Sequence, residues 1–326
     1  MKRRLLVLDL WGVGDLAVAS PFLRLASQEY EVTLVAKPAA EDLRLRFWPE
    51  VHVIPFTAPW SAFRGKYRLH EWRWKAIRRL LETMRSQNFD AGVSARRDPR
   101  DHLLMALMGA KRRYGFPRLG SELLLTDPIN LAEPLAHRYT HWQHLAKALG
   151  LNLPAPTDLP KRTKQEKIIV HTGAGQPVRV WPLVNYERLV ARLRERSYKI
   201  QVLCDPDQLS FWQGRGEAAI APANLTELCD LLESARVFVG NDSGPGHLAA
   251  VSGIPTFTIF GPQFPSLFAP IHPSSEWVEG PPCPYKPCHD SCRFQVPHCL
   301  HNINEQDLSE RIELFIAKQI RSESCV

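Results

Sequence analysis

The chain has 326 residues, 44% of them apolar and 23% charged, with a formal net charge of +7. That length suits two domains better than one, and the composition supplies each with a core and excludes a low-complexity disordered chain. No apolar run approaches the ~20 residues that a bilayer span needs, so a spanning protein is excluded and a cytoplasmic setting is expected.

The opening MKRRLLVLDL imitates a secretory leader, a basic start before an apolar run. Asp9 interrupts that run and Gly12 and Asp15 follow, so it reads better as a buried first strand. LAVASPFLRLAS predicts a helix with Pro21 near its first turn. EVTLVA and VHVIPF read as strands. WRWKAIRRLLETMR spaces Trp74, Ile77, Leu80, Leu81 and Met84 at helical intervals. AGVSA, DHLLMALMGA, RRYGF and HRYTHWQHLAKALG continue the alternation as strand, helix, strand and helix. Arginines crowd residues 64–118, which suits either a solvated helix face or a surface for nucleic acid, anionic lipid or a phosphorylated substrate. Nucleic acid is disfavoured, because only Trp72 and Trp74 interleave as stacking aromatics.

LNLPAPTDLPKRTKQEK is rich in proline and charge and reads as a linker, dividing the chain into domains at 1–155 and 156–326. The alternation then restarts: IIVHTGAG, YERLVARLRER, KIQVLC, LTELCDLLESA, RVFVG, a glycine-rich turn and PTFTIF, with EQDLSERIELFIAKQI as an amphipathic terminal helix. The expected class is α/β, two doubly wound domains in series, with ligands beyond the carboxyl ends of the strands.

Three turns lie at such ends. WGVGDLA matches G-x-G-x-x-A, the dinucleotide fingerprint, and Lys37 at the end of the second strand would suit NADP. Asp15 stands where a pyrophosphate would approach, so two other readings stay open: a general base facing a cleft, or a carboxylate capping the helix. HTGAGQPVRVWP exposes backbone N–H groups beside Arg179, an anion site or an ordinary tight loop. GNDSGPGH opens a helix; its backbone suits phosphate, while Asp242 suits sugar hydroxyls and His247 either donates to phosphate or packs.

The stretch GNDSGPGHLAAVSGIPTFTIFGP resembles the signature D-[ST]-G-x-x-H-L-A-A…G-x-P…F-G-P of glycosyltransferase family 9, the heptosyltransferases. HTGAG…RVWP is similar to that family's H-P-G-A…K-x-W-P, and GVGDLAVASPFLRLA to its N-terminal G-D-x-x-x-x-x-P segment; GAKRRYGF also resembles a family pattern. The resemblance implies a GT-B fold, an N-terminal acceptor-binding domain and a C-terminal nucleotide-sugar-binding domain. It implies inverting transfer of heptose from ADP-heptose to a lipopolysaccharide core acceptor, an anionic glycolipid at the inner-membrane surface, with no cofactor or metal in the transfer step. Asp15 matches the proposed base, and Asp242 the residue that contacts heptose hydroxyls. Ser243, Gly244, Gly246 and His247 match the diphosphate turn, and Arg179 falls where the family has a lysine. Thr172, Gly173, Ala174 and Gly175 complete the candidate donor site, with Gly14, Arg97 and Arg100 as candidate acceptor contacts. Thr172 replaces the family's proline and Gln263 its threonine, which bears on donor and acceptor identity rather than reaction class. The competing functions are an NADP-dependent oxidoreductase built on Gly12-x-Gly14 and a non-catalytic glycan-binding relative.

Seven cysteines are present, and without a leader a disulfide framework is disfavoured. Cys283, Cys288, Cys292 and Cys299 are bunched closely enough to be a candidate structural site for zinc or iron, although no C-x-x-C pair occurs; the alternative is reduced thiols packing an irregular loop.

Overall fold

The computed structural model describes residues 2–62, 67–131, 133, 136–156, 166–288 and 291–321. The chain divides into two compact units, Met1–Leu153 and Pro154–Val326. Most of the expected linker, residues 157–165, and the start of the arginine-rich segment, residues 63–66, lie outside the described residues.

The first unit runs β1 (Arg3–Asp9), α1 (Val13–Glu29), β2 (Tyr30–Ala36), α2 (Ala40–Phe47), β3 (His52–Pro55), α3 (Trp74–Arg85), β4 (Ala91–Ser94), α4 (Pro99–Leu107), β5 (Arg112–Gly115), β6 (Asp127–Pro128) and α5 (Arg138–Ala148). The strands form one sheet in the order β3-β2-β1-β4-β5-β6, with every pair parallel. The leader-like opening is the central strand, and Leu5, Leu6, Val7 and Leu8 are buried. A parallel strand covered on both faces reads as a continuous apolar run, which is why it imitated a leader. Leu6 and Leu8 share a cluster with Ile77, Leu80 and Met84 of α3 and Leu104 and Met105 of α4. Phe22 of α1 packs on Trp142 of α5, ring centroids 4.8 Å apart.

Two local expectations are corrected. Pro21 lies inside α1 rather than near its first turn, because the helix already starts at Val13. Proline removes one helical N–H; one residue before it, the Ser20 hydroxyl donates to the Leu16 carbonyl at 2.9 Å. Trp74 does not join the apolar face of α3: it opens the helix, is 53% exposed, and its indole donates to the Leu69 carbonyl.

The second unit runs β7 (Lys167–His171), α6 (Leu183–Glu195), β8 (Ile200–Leu203), α7 (Leu209–Gln213), α8 (Leu225–Glu233), β9 (Ala235–Asn241), α9 (Gly244–Val251), β10 (Thr256–Phe260), α10 (Pro265–Phe268), β11 (Glu276–Glu279), α11 (His298–His301) and α12 (Glu305–Arg321). Its parallel sheet has the order β11-β10-β9-β7-β8. Val170, Val239 and Ile259 of the sheet, Leu189 and Leu193 of α6, and Ile312 and Phe315 of α12 form one buried cluster. Both sheets reverse direction once, between β1 and β4 and between β7 and β9, the arrangement of doubly wound sheets that bind ligands at the reversal. No helix among the described residues is long and apolar enough to cross a membrane.

Phe315 is 1% exposed, and its ring packs tilted against Phe257 with centroids 5.5 Å apart. Phe315→Ala is expected to destabilise the second unit by about 3–5 kcal/mol, read as a lower urea midpoint at unchanged slope.

Candidate active site

In the first unit, the residues just past β1 and β4 meet where the strand order reverses. Asp9 ends β1, and Trp11 and Gly12 turn the chain into α1. Asp15 falls at the third helical position, and its Oδ2 accepts the Gly12 N–H at 3.1 Å. Its Oδ1 faces the other way and meets Nη2 of Arg96 at 2.8 Å. Asp15 is thus a capping group and also one wall of a charged depression, lined by Leu8, Asp9, Asp15, Val18, Ala95, Arg96, Arg138 and Trp142. The dinucleotide reading of this turn is corrected. The helix start that would face a pyrophosphate already holds a carboxylate, and like charge repels.

The depression is built from charge held by burial. The Arg96 guanidinium lies 4.5 Å above the Trp11 ring. Trp11 and Trp60 direct their indole N–H groups to the Asp101 carboxyl, at 3.5 and 2.8 Å. Burial pushes that carboxyl up to about 7, with the Asp98 charge adding to the effect. Burial pulls Arg138 down to about 10, with like charge on Arg96 adding, and burial also lowers Lys37, opposed by Asp15 and Asp9.

The expected acceptor contacts are placed differently. Gly14 lies in the first turn of α1. Arg97 donates to the Pro117 carbonyl at 3.3 Å. Arg100 is held by Asp98 at 2.7 and 2.9 Å, the same residue that caps α4. Arg96 and Arg138 line the depression with Asp15 instead. The arginine density of ARRDPR was the only signal for Arg96; no sequence signal marked Arg138.

In the second unit, the turns after β7 and β9 lie side by side. Thr172 is fully buried: its hydroxyl donates to Gln208 Oε1 at 2.8 Å and accepts the Trp212 indole at 3.3 Å. Its side chain therefore supports the turn from inside. The Ala174 N–H also has a partner, the Asp205 carboxylate at 2.9 Å. Gly173 permits that approach, since a Cβ there would stand 2.3 Å from Asp205 Oδ1. The anion seated on this part of the turn is therefore the protein's own. Gly175 has open space where a side chain would stand.

Arg179 ends a 3-10 turn, Pro177–Arg179, and its Nη1 reaches Asp242 Oδ2 at 3.3 Å. Its Nε is buried with no partner among the described residues. Ser243 precedes α9 with an extended backbone, and its hydroxyl donates to the Asn241 carbonyl at 3.2 Å rather than capping the N–H groups of the first helical turn. Gly244 and Gly246 lie in that turn, and His247 is buried at its end.

Asn241, which sequence reasoning passed over, binds the two turns together. Its Oδ1 accepts the Trp181 N–H at 3.0 Å and the Tyr186 hydroxyl at 2.9 Å. Its Nδ2 donates to the Thr172 and Gly173 carbonyls at 2.9 and 3.2 Å. The one available signal was its place at the end of an apolar strand.

The metal reading of the cysteines finds no support. Among the described residues no group of three or more His, Cys, Asp or Glu side chains is arranged to hold a metal ion. Cys288 and Cys299 are free thiols raised by burial, with Cys292 and Cys283 nearby, and Cys288 Sγ donates to the Tyr285 carbonyl.

Residues 77–296 match the model of glycosyltransferase family 9 (heptosyltransferase). Lipopolysaccharide heptosyltransferase 1 of Pseudomonas aeruginosa is 24% identical over 234 residues, 58% of this chain and 66% of that protein. Lipopolysaccharide heptosyltransferase 3 of Escherichia coli is 27% identical over 108 residues, 30% of this chain and 31% of that protein. The aligned region thus spans less than two thirds of these relatives' length. In fold, the chain is similar to E. coli heptosyltransferase WaaC with ADP, at a TM-score of 0.74 and 18% identity, covering 96% of this chain and 99% of that one. It is also similar to E. coli ADP-heptose lipopolysaccharide heptosyltransferase II, at a TM-score of 0.70 and 18% identity, covering 99% and 100%. The pair of parallel-sheet units is therefore of the GT-B class.

Asn241→Ala strips partners from four buried groups, and is expected to destabilise the second unit by about 2–5 kcal/mol and to speed amide exchange at Trp181. Wild-type exchange at that amide would show that the two turns are held by something else. With two thirds of its length matched by the family model and both parallel sheets shared with solved heptosyltransferases, the chain belongs to glycosyltransferase family 9.

Proposed function

We propose that this chain is an inverting glycosyltransferase that moves a heptose from ADP-heptose to a lipopolysaccharide core acceptor. The observation that carries the reading is the meeting of Arg179 and Asp242 at 3.3 Å beside the start of α9. A cation and backbone N–H groups suit a diphosphate; a carboxylate beside them suits neighbouring sugar hydroxyls. In support, E. coli heptosyltransferase WaaC, similar in fold, is known in structures with ADP and with ADP-2-deoxy-2-fluoro heptose.

In this reading the second unit holds the donor through Gly175, Arg179, Asp242, Ser243, Gly244, Gly246 and His247. Thr172, Gly173 and Ala174 act behind them as the frame of the turn. The first unit holds the acceptor over its charged depression. Asp15 takes the proton of the acceptor hydroxyl as its oxygen attacks the anomeric carbon. The bond from that carbon to the diphosphate breaks, and its electron pair leaves with ADP. Arg179 and the α9 N–H groups stabilise the charge that develops on the leaving phosphate. Arg96 pairs with the Oδ1 of Asp15 and so orients the carboxylate for the acceptor hydroxyl. Every task falls to a side chain or the backbone, and none is assigned to a cofactor. The exposed cationic face of α3, with Lys75, Arg78 and Arg79, suits an anionic glycolipid at the cytoplasmic face of the inner membrane.

Calorimetry with ADP, ADP-heptose, UDP- and GDP-sugars and NADPH tests the donor. ADP-heptose is expected to bind most tightly; another nucleotide sugar in its place would change the donor and keep the mechanism, and NADPH alone would overturn it. Asp242→Ala is expected to weaken ADP-heptose roughly 10–100-fold, the worth of a charged hydrogen-bond pair, while ADP itself changes far less. Asp15→Ala is expected to lower kcat by about 10²–10⁴-fold with donor affinity unchanged. Near-normal turnover would remove Asp15 as base. Donor binding without turnover on any acceptor would favour a non-catalytic relative.

A further inference from the structure

Asp9 has no role in the reaction as described, yet it lines the same depression as Asp15. It is 4% exposed, against 25% for the Asp15 side chain. The Trp11 backbone N–H donates to its carboxyl, but Oδ2 is buried with no hydrogen-bond partner among the described residues. An orphaned carboxyl oxygen in a dry site is costly, and native sites keep one only where something else meets it. Asp15 is unlike it in each respect. Its two oxygens are engaged separately, by the Gly12 N–H and by Arg96.

Two carboxyls in one depression cannot both carry charge cheaply, and the better-compensated one keeps it. That one is Asp15. The groups facing Asp9 come from every element around it. They are Asp15 of α1, Lys37 after β2, Arg96 after β4, Asp101 of α4 and Arg138 of α5. Burial, more than any of these, drives the Asp9 carboxyl well above the usual carboxylate range. Asp15 and Asp101 add to the rise; Arg96 and the Trp11 N–H oppose it.

We propose that Asp9 is a further acceptor-binding residue: its carboxyl stays protonated and donates a hydrogen bond from Oδ2 to an acceptor hydroxyl beside the one that Asp15 deprotonates. This rests on the transferase reading, with the acceptor in the first unit. Division of labour follows from environment alone, the ionised carboxylate as base and the neutral one as donor. When rising pH removes the Asp9 proton, the donor is lost and a second negative charge competes for Arg96. Acceptor use therefore falls on the alkaline side.

Infrared difference spectra of the full chain without substrate test the proton directly. At neutral pH the wild-type minus Asp9→Asn difference is expected to show a protonated-carboxyl band, over and above the Asp101 contribution common to both, and Asp15→Asn is expected to retain it. No such band in the wild-type minus Asp9→Asn difference overturns the proposal. Kinetics test the hydrogen bond. Asp9→Leu, which has no donor, is expected to raise the acceptor KM about tenfold more than Asp9→Asn, which keeps a neutral one, with the donor KM unmoved in both. Asp9→Asn is also expected to hold its acceptor kcat/KM to higher pH than the wild type does. Superimposable pH profiles, or equal losses in the two variants, overturn the proposal. Full turnover by Asp15→Asn would instead sink the base reading, a result separate from the Asp9 band.

Discussion

The second unit depends on one amide. Asn241 sits at the end of β9, and its side chain uses both lone pairs of its oxygen and both hydrogens of its nitrogen within the protein. Those four bonds join the turn after β7, the chain entering α6 and the turn before α9. Tyr186 is fully buried, so its hydroxyl needs an acceptor there, and Asn241 supplies one. An aspartate would lack the two N–H donors and a leucine all four bonds. Because a fully satisfied buried network has one arrangement, the neighbouring Asp242 and Arg179 are held at a set separation before any ligand arrives.

The first unit solves a different problem, the coexistence of several charges in little water. Trp11 is central to it. Its ring lies under Arg96, its indole N–H faces Asp101, and its backbone N–H faces Asp9. Arg96 is thereby aimed at Asp15, and the two buried carboxyls on either side are moved toward their neutral forms. The result is one compensated carboxylate among cations, which differs from the bare helix-start anion site that the glycine pattern suggested.

Topology explains why both sites lie where they do. In each sheet the helices after the two strands at the reversal diverge to opposite faces, which opens a crevice at the strands' carboxyl ends. Asp9 ends β1 and Arg96 follows β4; the HTGAG and NDSG turns lie at the ends of β7 and β9. The interiors of the strands are apolar, and Asp9 and Asn241 stand at their last positions. The candidate groups stand at the strand ends and in the turns and helix starts beyond them, where backbone N–H groups outside the sheet meet carboxylates such as Asp15 and Asp205.

By itself the sequence determined the alternation of strands and helices and the family motifs, because periodicity and short motifs are local properties. It displayed Asp15, Arg179, Asp242 and the GNDSGPGH turn openly, since each stands in a recognisable strand-to-helix turn. Boundaries and pairings were less visible. Pro21 was placed too near the helix start because a capping glycine and an acidic third residue, not the proline, set where α1 begins. Only the tertiary structure decided that Arg96 rather than Arg97 or Arg100 meets Asp15, and that Asp205 already occupies the Ala174 N–H. It alone decided that Asn241 binds the turns and that Asp9 shares a depression with Asp15. Those outcomes rest on contacts between residues 31 to 81 positions apart, or on burial, and neither leaves a trace in local spacing.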